Sequence, residues 1–107
     1  MTGQELGALL KDSGVVNERS VAYGRFEFAP GTIPYIIYHE TTPDILHADN
    51  RNWHMERSFT VELYTDRNRP DMELALEQAF DDAELPFTKA GKAWIESDKM
   101  YQIAYYL

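Results

Sequence analysis

The sequence predicts an α+β protein, in which a mostly antiparallel sheet of four to six strands is covered by one main helix. One stretch alternates apolar and polar residues as a half-buried strand does, and the stretch after it repeats apolar residues at helical spacing. Two further strand-like stretches close the chain around a Ser97-Asp98 turn. With 107 residues, the chain (1–107) has the length of a single domain with one modest core.

The first predicted element is a short helix at residues 4–12. Its three leucines fall at helical spacing, and Gly14 can end it in the left-handed conformation. The next stretch, SVAYGRFEFAP at 20–30, predicts a strand with Gly24 as a bulge, followed by a turn at Pro30-Gly31.

Two strands are predicted in the middle of the chain. IPYIIYHE (33–40) is apolar on both faces, as expected of a central strand. In WHMERSFTVELYTD (53–66), one face is largely apolar and the other is polar. The apolar residues that share a face are Met55, Phe59, Val61 and Leu63. A further short strand at 45–49 is an open alternative.

The main helix is predicted over NRPDMELALEQAFDDAEL (68–85). Pro70 suits its first turn, and a one-sided apolar stripe would pack on the sheet. The stripe consists of Met72, Leu76, Ala79, Phe80 and Ala83. Three carboxylates lie on another side of the helix, which we expect to be solvated. They are Glu73, Glu77 and Asp81.

The end of the chain predicts a hairpin. PFTKA and KAWIES are expected as short strands around Gly91, and KMYQIAYYL is expected as the last strand. The predicted order of elements is therefore α-β-β-β-α-β-β, and short connections favour antiparallel pairing.

Composition and charge exclude several classes of protein. The formal net charge of −8 disfavours binding to nucleic-acid backbones. The chain has no cysteine, so disulfides and thiolate chemistry are excluded. We expect neither a signal peptide in MTGQELGALLKDSG nor a membrane span, because no apolar stretch is long enough.

No metal site is predicted, although two motifs imitate one. HETTP begins like the zinc-protease motif, but Pro43 stands where the second histidine should be. DRNRPDMELALE imitates a calcium loop, but Pro70 and Asp71 occupy positions that such a loop needs for other residues. The three histidines are expected near strand ends; they are His39, His47 and His54.

Catalytic and cofactor-binding residues are not predicted either. No serine lies in a GxSxG motif, and Gly91-Lys92 lacks the rest of a phosphate loop. The seven tyrosines could suggest a platform for stacking bases, but such platforms lie in basic grooves. A tyrosine-rich sheet in an acidic protein is more typical of a core or a protein interface.

The stretch HADNRNWH (47–54) is instead predicted to be a turn between strands. Its tip contains arginine and tryptophan, which are residue types favoured in protein interfaces. We therefore consider this tip a candidate assembly interface. Its residues are Asp49, Asn50, Arg51, Asn52 and Trp53.

Four stretches resemble small tail-completion proteins of tailed bacteriophages and prophages, a group that includes tail-terminator and head–tail joining proteins. The stretches are PYIIY, VELYTDRNRPDMELALE and WIESDKMYQIAYYL, together with HADNRNW. The resemblance covers residues 20–107 and includes no catalytic motif, because the family is structural.

The resemblance implies an α+β subunit that forms a ring, often a hexamer, at the head-proximal end of the tail tube. Such a ring ends tube growth and joins the tail to head-completion proteins in the virion, after assembly in the host cytoplasm. DNA would pass through without specific binding, and an acidic lumen would let it slide. Glu73, Glu77 and Asp81 are the candidate lumen residues. The alternatives are a monomeric adaptor or inhibitor and, third, a small enzyme or ligand-binding domain.

Overall fold

The computed structural model describes residues 2–24, 33–41 and 58–107. These residues form two α-helices, one 3-10 helix and five strands. In chain order they are α1 (Gly3–Asp12), the 3-10 helix (Glu18–Ser20), β1 (Val21–Tyr23), β2 (Tyr35–Thr41), β3 (Ser58–Thr65), α2 (Pro70–Asp82), β4 (Thr88–Ile95) and β5 (Met100–Tyr106). The α+β class and the predicted order α-β-β-β-α-β-β are confirmed.

The strands form one mixed sheet in the order β1-β2-β3-β5-β4. Strand β2 pairs antiparallel with β3, β3 with β5, and β5 with β4. Strand β1 pairs parallel with β2, which is the exception to the predicted antiparallel arrangement. Strand β2 is paired on both sides, as its apolar residues on both faces predicted, but the middle position of the described sheet belongs to β3.

Helix α1 has the termini that its sequence predicts. Thr2 and Glu5 form a capping box, in which each side chain bonds the backbone N–H of the other residue. Gly14 has a φ of 75°, so it adopts the left-handed conformation just beyond the helix. Leu6 and Leu10 are fully buried and anchor the helix on the core.

Helix α2 begins at Pro70, where the missing N–H of proline costs nothing. Its buried apolar residues, Met72, Leu76 and Phe80, belong to the predicted stripe and pack on the sheet. The Phe80 ring lies 5.6 Å from the ring of Tyr105 on β5. The helix therefore buries one side against the sheet.

Both helices lie on the same face of the sheet, which we call the inner face. On this face, α1 approaches Tyr38 so closely that a Cβ atom on Gly7 would lie 3.1 Å from the Tyr38 Cζ atom. The strand pairings put Tyr38 beside Val61 and Val61 beside Tyr105, and all three are buried. The described core therefore lies between the inner face and the two helices.

Two predicted strands differ in extent from the structure. The stretches on either side of Gly91 form one continuous strand, β4, whose register shifts between Lys89 and Gly91. This register shift is a β-bulge, which interrupts the regular pairing without ending the strand, so the two predicted strands are one. Strand β1 ends at Tyr23, and Gly24 follows it with a φ of 76°. The rest of the predicted strand at 20–30 and the alternative strand at 45–49 lie outside the described residues.

The predicted closing hairpin is confirmed. Strands β4 and β5 pair antiparallel, and residues 96–99 form the turn between them. Within the described ranges, neither helix is long and apolar enough to cross a membrane.

Candidate functional site

The second face of the sheet, which we call the outer face, is the largest functional candidate. Neither described helix packs on it, since both lie on the inner face. Strand pairing places the alternate residues of β2, β3, β5 and β4 there. They include Tyr35, Ile37, His39, Thr41, Thr60, Glu62, Tyr64, Ala93, Gln102, Ala104 and Tyr106. The outer face is thus rich in aromatic and hydrogen-bonding side chains.

Glu62, on the middle strand, is the centre of a polar cluster on the outer face. Gln102 Nε2 donates to Glu62 Oε2 at 3.0 Å, and the Tyr64 hydroxyl donates to the same oxygen. His39 Nε2 lies 3.3 Å from Glu62 Oε1. Gln102 Nε2 also lies 2.8 Å from the Tyr64 hydroxyl oxygen, so the four side chains form one connected network.

These hydrogen bonds decide the charge of Glu62. Burial alone would raise the pKa of its carboxyl group, but the hydrogen bonds from Tyr64, His39 and Gln102 outweigh burial and lower the pKa. Burial and the bond to Glu62 raise the pKa of Tyr64. The cluster therefore holds an ionised carboxylate and a neutral phenol side by side at neutral pH.

An aromatic pair adjoins the cluster. The rings of Tyr35 and Tyr64, paired across β2 and β3, are stacked with centroids 4.8 Å apart and planes at 20°. The Tyr35 hydroxyl donates to the Met100 sulfur at 3.6 Å. Burial, followed by the nearby charges of Asp98 and Glu62, raises the pKa of Tyr35.

The predicted assembly interface lies outside the described residues. It comprises Asp49, Asn50, Arg51, Asn52 and Trp53, so the turn prediction and the interface prediction both stay predictions. His47 and His54 also lie outside the described residues.

The three carboxylates predicted to share a solvated side of α2 differ in their exposure. Asp81 is exposed, but Glu73 is only 5% exposed, so the prediction that this side is solvated is wrong for Glu73. Its carboxylate lies 2.7 Å from Lys89 Nζ through Oε1 and 2.7 Å from Lys92 Nζ through Oε2. The physical reason is that β4 brings two lysines to the flank of α2, where they neutralise a charge that could not otherwise be buried.

Glu77 takes part in the same contact. The Tyr105 hydroxyl donates to Glu77 Oε2 at 2.8 Å, and Lys89 Nζ lies 3.4 Å from that oxygen. Burial and the bond to Glu77 raise the pKa of Tyr105. These groups fasten α2 to β4 and β5, so their evident role is structural.

Sequence reasoning missed the Glu62 cluster. Glu62 was expected only as one of several solvent-facing residues of an alternating strand. Its partners come from β2 and β5, 23 and 40 residues away in sequence, and only the strand register brings them together. One signal in the sequence could have indicated the cluster. Glu62 lies in the middle of a strand whose other face is strongly apolar.

The chemistry of the cluster allows both proton exchange and recognition of a polar group. A carboxylate, an imidazole and a phenol in contact can exchange protons, and the same groups can form hydrogen bonds with a bound molecule. Among the residues that the structure describes, no group of three or more potential metal ligands occurs.

Comparisons with known proteins identify no relative. No protein-family model matches the chain. No curated protein and no solved structure matches it either.

Proposed function

We propose that this chain is a structural protein of tailed-phage particles, which assembles into a ring at the head-proximal end of the tail tube. In that position it would end tube growth and join the tail to the head-completion proteins. The single observation that carries the proposal is the outer face, a broad sheet surface that no described helix covers and that is suited to contacts with other chains.

The location of the resembling stretches supports the proposal. PYIIY includes the first four residues of β2, VELYTDRNRPDMELALE runs from β3 into α2, and WIESDKMYQIAYYL runs from the end of β4 through the turn and β5. These strands are consecutive neighbours in the sheet. The resemblance therefore falls on one contiguous unit rather than on scattered surface pieces.

The charge of the chain is compatible with the passage of DNA through such a ring. A net charge of −8 per copy repels the phosphate backbone and disfavours tight binding. On α2, exposed Asp81 and Asp82 remain available to a lumen surface, whereas Glu73 does not. We accordingly retain Asp81 as a candidate lumen residue and assign Glu73 to the fold.

Contacts between subunits would also involve the segment Asp49–Trp53, because arginine and tryptophan are frequent in interfaces. Replacing Arg51 and Trp53 with alanine should impair assembly and leave the monomer folded. A matched control is Arg67→Ala, which removes an exposed arginine next to α2. Loss of the fold in the double variant would show that these residues belong to the core instead.

The mass in solution tests the proposal directly. Size-exclusion chromatography with light scattering, over a wide range of protein and salt concentrations, should find a closed oligomer of about six copies. A tight dimer at all concentrations would count against the ring and favour an adaptor. If the chain is monomeric, purified tail tubes should be added, and failure to cap them would refute the proposal.

A further inference from the structure

A pocket of about 470 Å³ opens on the outer face, near the ends of β2, β3 and β5. Its described lining combines polar side chains with Leu107, and apolar atoms contribute more of the lining surface than polar atoms do. The side chains that form it include those of His39, Thr41, Ser58, Thr60, Glu62 and Tyr106. Glu62 forms part of its wall, so the pocket adjoins the polar cluster described above.

The pocket is rich in hydrogen-bond acceptors. Hydroxyl groups of Thr41 and Thr60 lie 2.7 Å apart, and Ser58 and Tyr106 add two more hydroxyls. Glu62 supplies a carboxylate. Among the described residues that line the pocket there is no lysine or arginine, and of these residues only His39 can become positively charged.

Glu62 and Glu73, which are two of the partly or fully buried glutamates, differ in how their charges are neutralised. Glu73 on the inner side meets two lysine ammonium groups at 2.7 Å. Glu62 meets a phenol, an amide and an imidazole, and its side chain is 20% exposed. The phenol and amide donors are neutral, so among these partners only a protonated His39 would offset the negative charge of Glu62, which lines the pocket.

We propose that this pocket receives the arginine side chain of a different protein, which docks on the outer face. A guanidinium group has five N–H donors in a planar fork, so it can bond the carboxylate of Glu62 and the neighbouring hydroxyl oxygens together. Tyr106 is 53% exposed and offers a ring face at the pocket wall for stacking. A lysine ammonium group would use fewer of these acceptors.

Two observations favour a basic protein over other occupants. The net charge of −8 attracts a basic protein, which is therefore a better source of the cation than a second, equally acidic copy of this chain. The pocket opens on a sheet surface that neither described helix covers, so a large partner can lie on that surface while one side chain enters. The pocket does not depend on ring formation, and a monomeric chain could bind the same partner.

NMR titration with N-acetyl-L-arginine amide tests the chemistry of the pocket in the full chain. We expect saturable shifts of the Gln102 side-chain amide and of the backbone amides of Thr41 and Thr60, with a roughly millimolar Kd. The isosteric N-acetyl-L-citrulline amide carries no charge and should bind at least about tenfold more weakly.

Matched variants localise the effect. Glu62→Gln keeps the size of the side chain and removes the charge, so it should weaken binding about tenfold or more. Asp81→Asn makes the same charge change on exposed α2 and should leave binding unchanged. Tyr106→Ala alters the pocket wall without touching the described core, so weaker binding in that variant supports the site even if Glu62→Gln is poorly folded.

Three results would overturn the proposal. One is equal binding of the arginine and citrulline probes, and another is unchanged binding in both Glu62→Gln and Tyr106→Ala. The third is a loss of self-association, measured by light scattering, in Glu62→Gln but not in Asp81→Asn. That result would show that the pocket is occupied by a second copy of this chain. Unchanged mass in Glu62→Gln, together with lost arginine binding, supports a different protein as the partner.

Discussion

Glu73 and Lys92 join the main helix to the edge strand through a contact of 2.7 Å between Glu73 Oε2 and Lys92 Nζ. Lys89 makes the equivalent contact with the other carboxylate oxygen, and Lys92 also bonds Asn68 Oδ1. The Glu73 side chain is 6% exposed, while those of Lys89 and Lys92 are 39% and 29% exposed. A buried carboxylate is thus held by two lysines whose side chains are partly exposed.

Removing the charge of Glu73 should destabilise the protein. Glu73→Gln leaves two ammonium groups beside a neutral amide that is itself buried, which we expect to lower the free energy of unfolding by about 2 kcal/mol. Urea denaturation followed by circular dichroism measures this change. Asp81→Asn, an exposed change on the same helix, should alter stability by no more than about 0.5 kcal/mol. Equal effects in the two variants would contradict the role of Glu73.

Glu73 should also make stability depend on acid pH. Burial alone would raise the pKa of its carboxyl group, but the bonds from Lys89 and Lys92 lower the pKa from the usual 4.5. A carboxylate whose pKa is lower when folded contributes stability above the unfolded pKa, and that contribution is lost as pH falls through the folded pKa. The stability difference between wild type and Glu73→Gln should therefore shrink below about pH 4.5. A difference that stays constant with pH would contradict this linkage.

The sequence predicted most of the fold because local patterns determined it. The alternation of Phe59, Val61 and Leu63 gave β3, and Pro70 with the apolar stripe gave α2. The parallel pairing of β1 with β2 could not be predicted, because nothing local in Val21–Tyr23 distinguishes parallel from antiparallel partners.

The candidate site was less predictable than the fold, because it depends on contacts between distant residues. Glu73 is buried because lysines 16 and 19 residues later reach it across the β4 flank. The Glu62 cluster requires the register that places Tyr64 opposite Gln102. A charge pattern on one helix or one strand shows which residues could be solvated, but it does not show which partner covers them.

Gly7 should be intolerant of any side chain, although it lies within a helix. A Cβ atom there would lie 3.1 Å from Tyr38 Cζ and closer still to the hydroxyl oxygen, and Tyr38 is itself buried. We expect Gly7→Ala to lower the free energy of unfolding by about 1–2 kcal/mol, despite the better helix propensity of alanine.

A second change identifies the cause of this clash. Tyr38→Phe removes the hydroxyl and should recover part of the stability lost in Gly7→Ala. Gly3→Ala is the matched control in the same helix, because its Cβ atom would meet Phe59 at an ordinary 3.7 Å. If Gly7→Ala is as stable as Gly3→Ala, α1 does not approach Tyr38 on β2 as closely as the structure indicates.

Tyr105 should remain un-ionised to higher pH than an exposed tyrosine. Burial, followed by its bond to Glu77, raises its pKa above the usual 10.0. A group whose pKa is higher when folded contributes stability below the unfolded pKa, and that contribution is lost as pH rises toward the folded pKa. Tyr105→Phe should cost about 1 kcal/mol at neutral pH through the lost bond to Glu77. It should also reduce the loss of stability above about pH 10.

Ultraviolet absorbance of tyrosinate, recorded during an alkaline titration, measures this ionisation. The difference between the wild-type and Tyr105→Phe titrations gives the ionisation of Tyr105. We expect this ionisation at high pH, together with the loss of structure. Tyr106→Phe is the neighbouring control, because Tyr106 is 53% exposed. Early ionisation of the group lost in Tyr105→Phe would show that the ring is accessible.

The turn of the closing hairpin offers a stabilising change. Lys99 has a φ of 53°, in the left-handed region where a β-carbon costs energy, and its ion pair with Glu96 joins two exposed side chains. Lys99→Gly should therefore raise the free energy of unfolding by about 0.5 kcal/mol, since relief of the backbone outweighs the weak ion pair and the added freedom of the unfolded chain. Lys99→Ala removes the same ion pair without relieving the backbone, so it should be neutral or slightly destabilising. If urea denaturation ranks Lys99→Ala above Lys99→Gly, the left-handed turn is not what limits this hairpin.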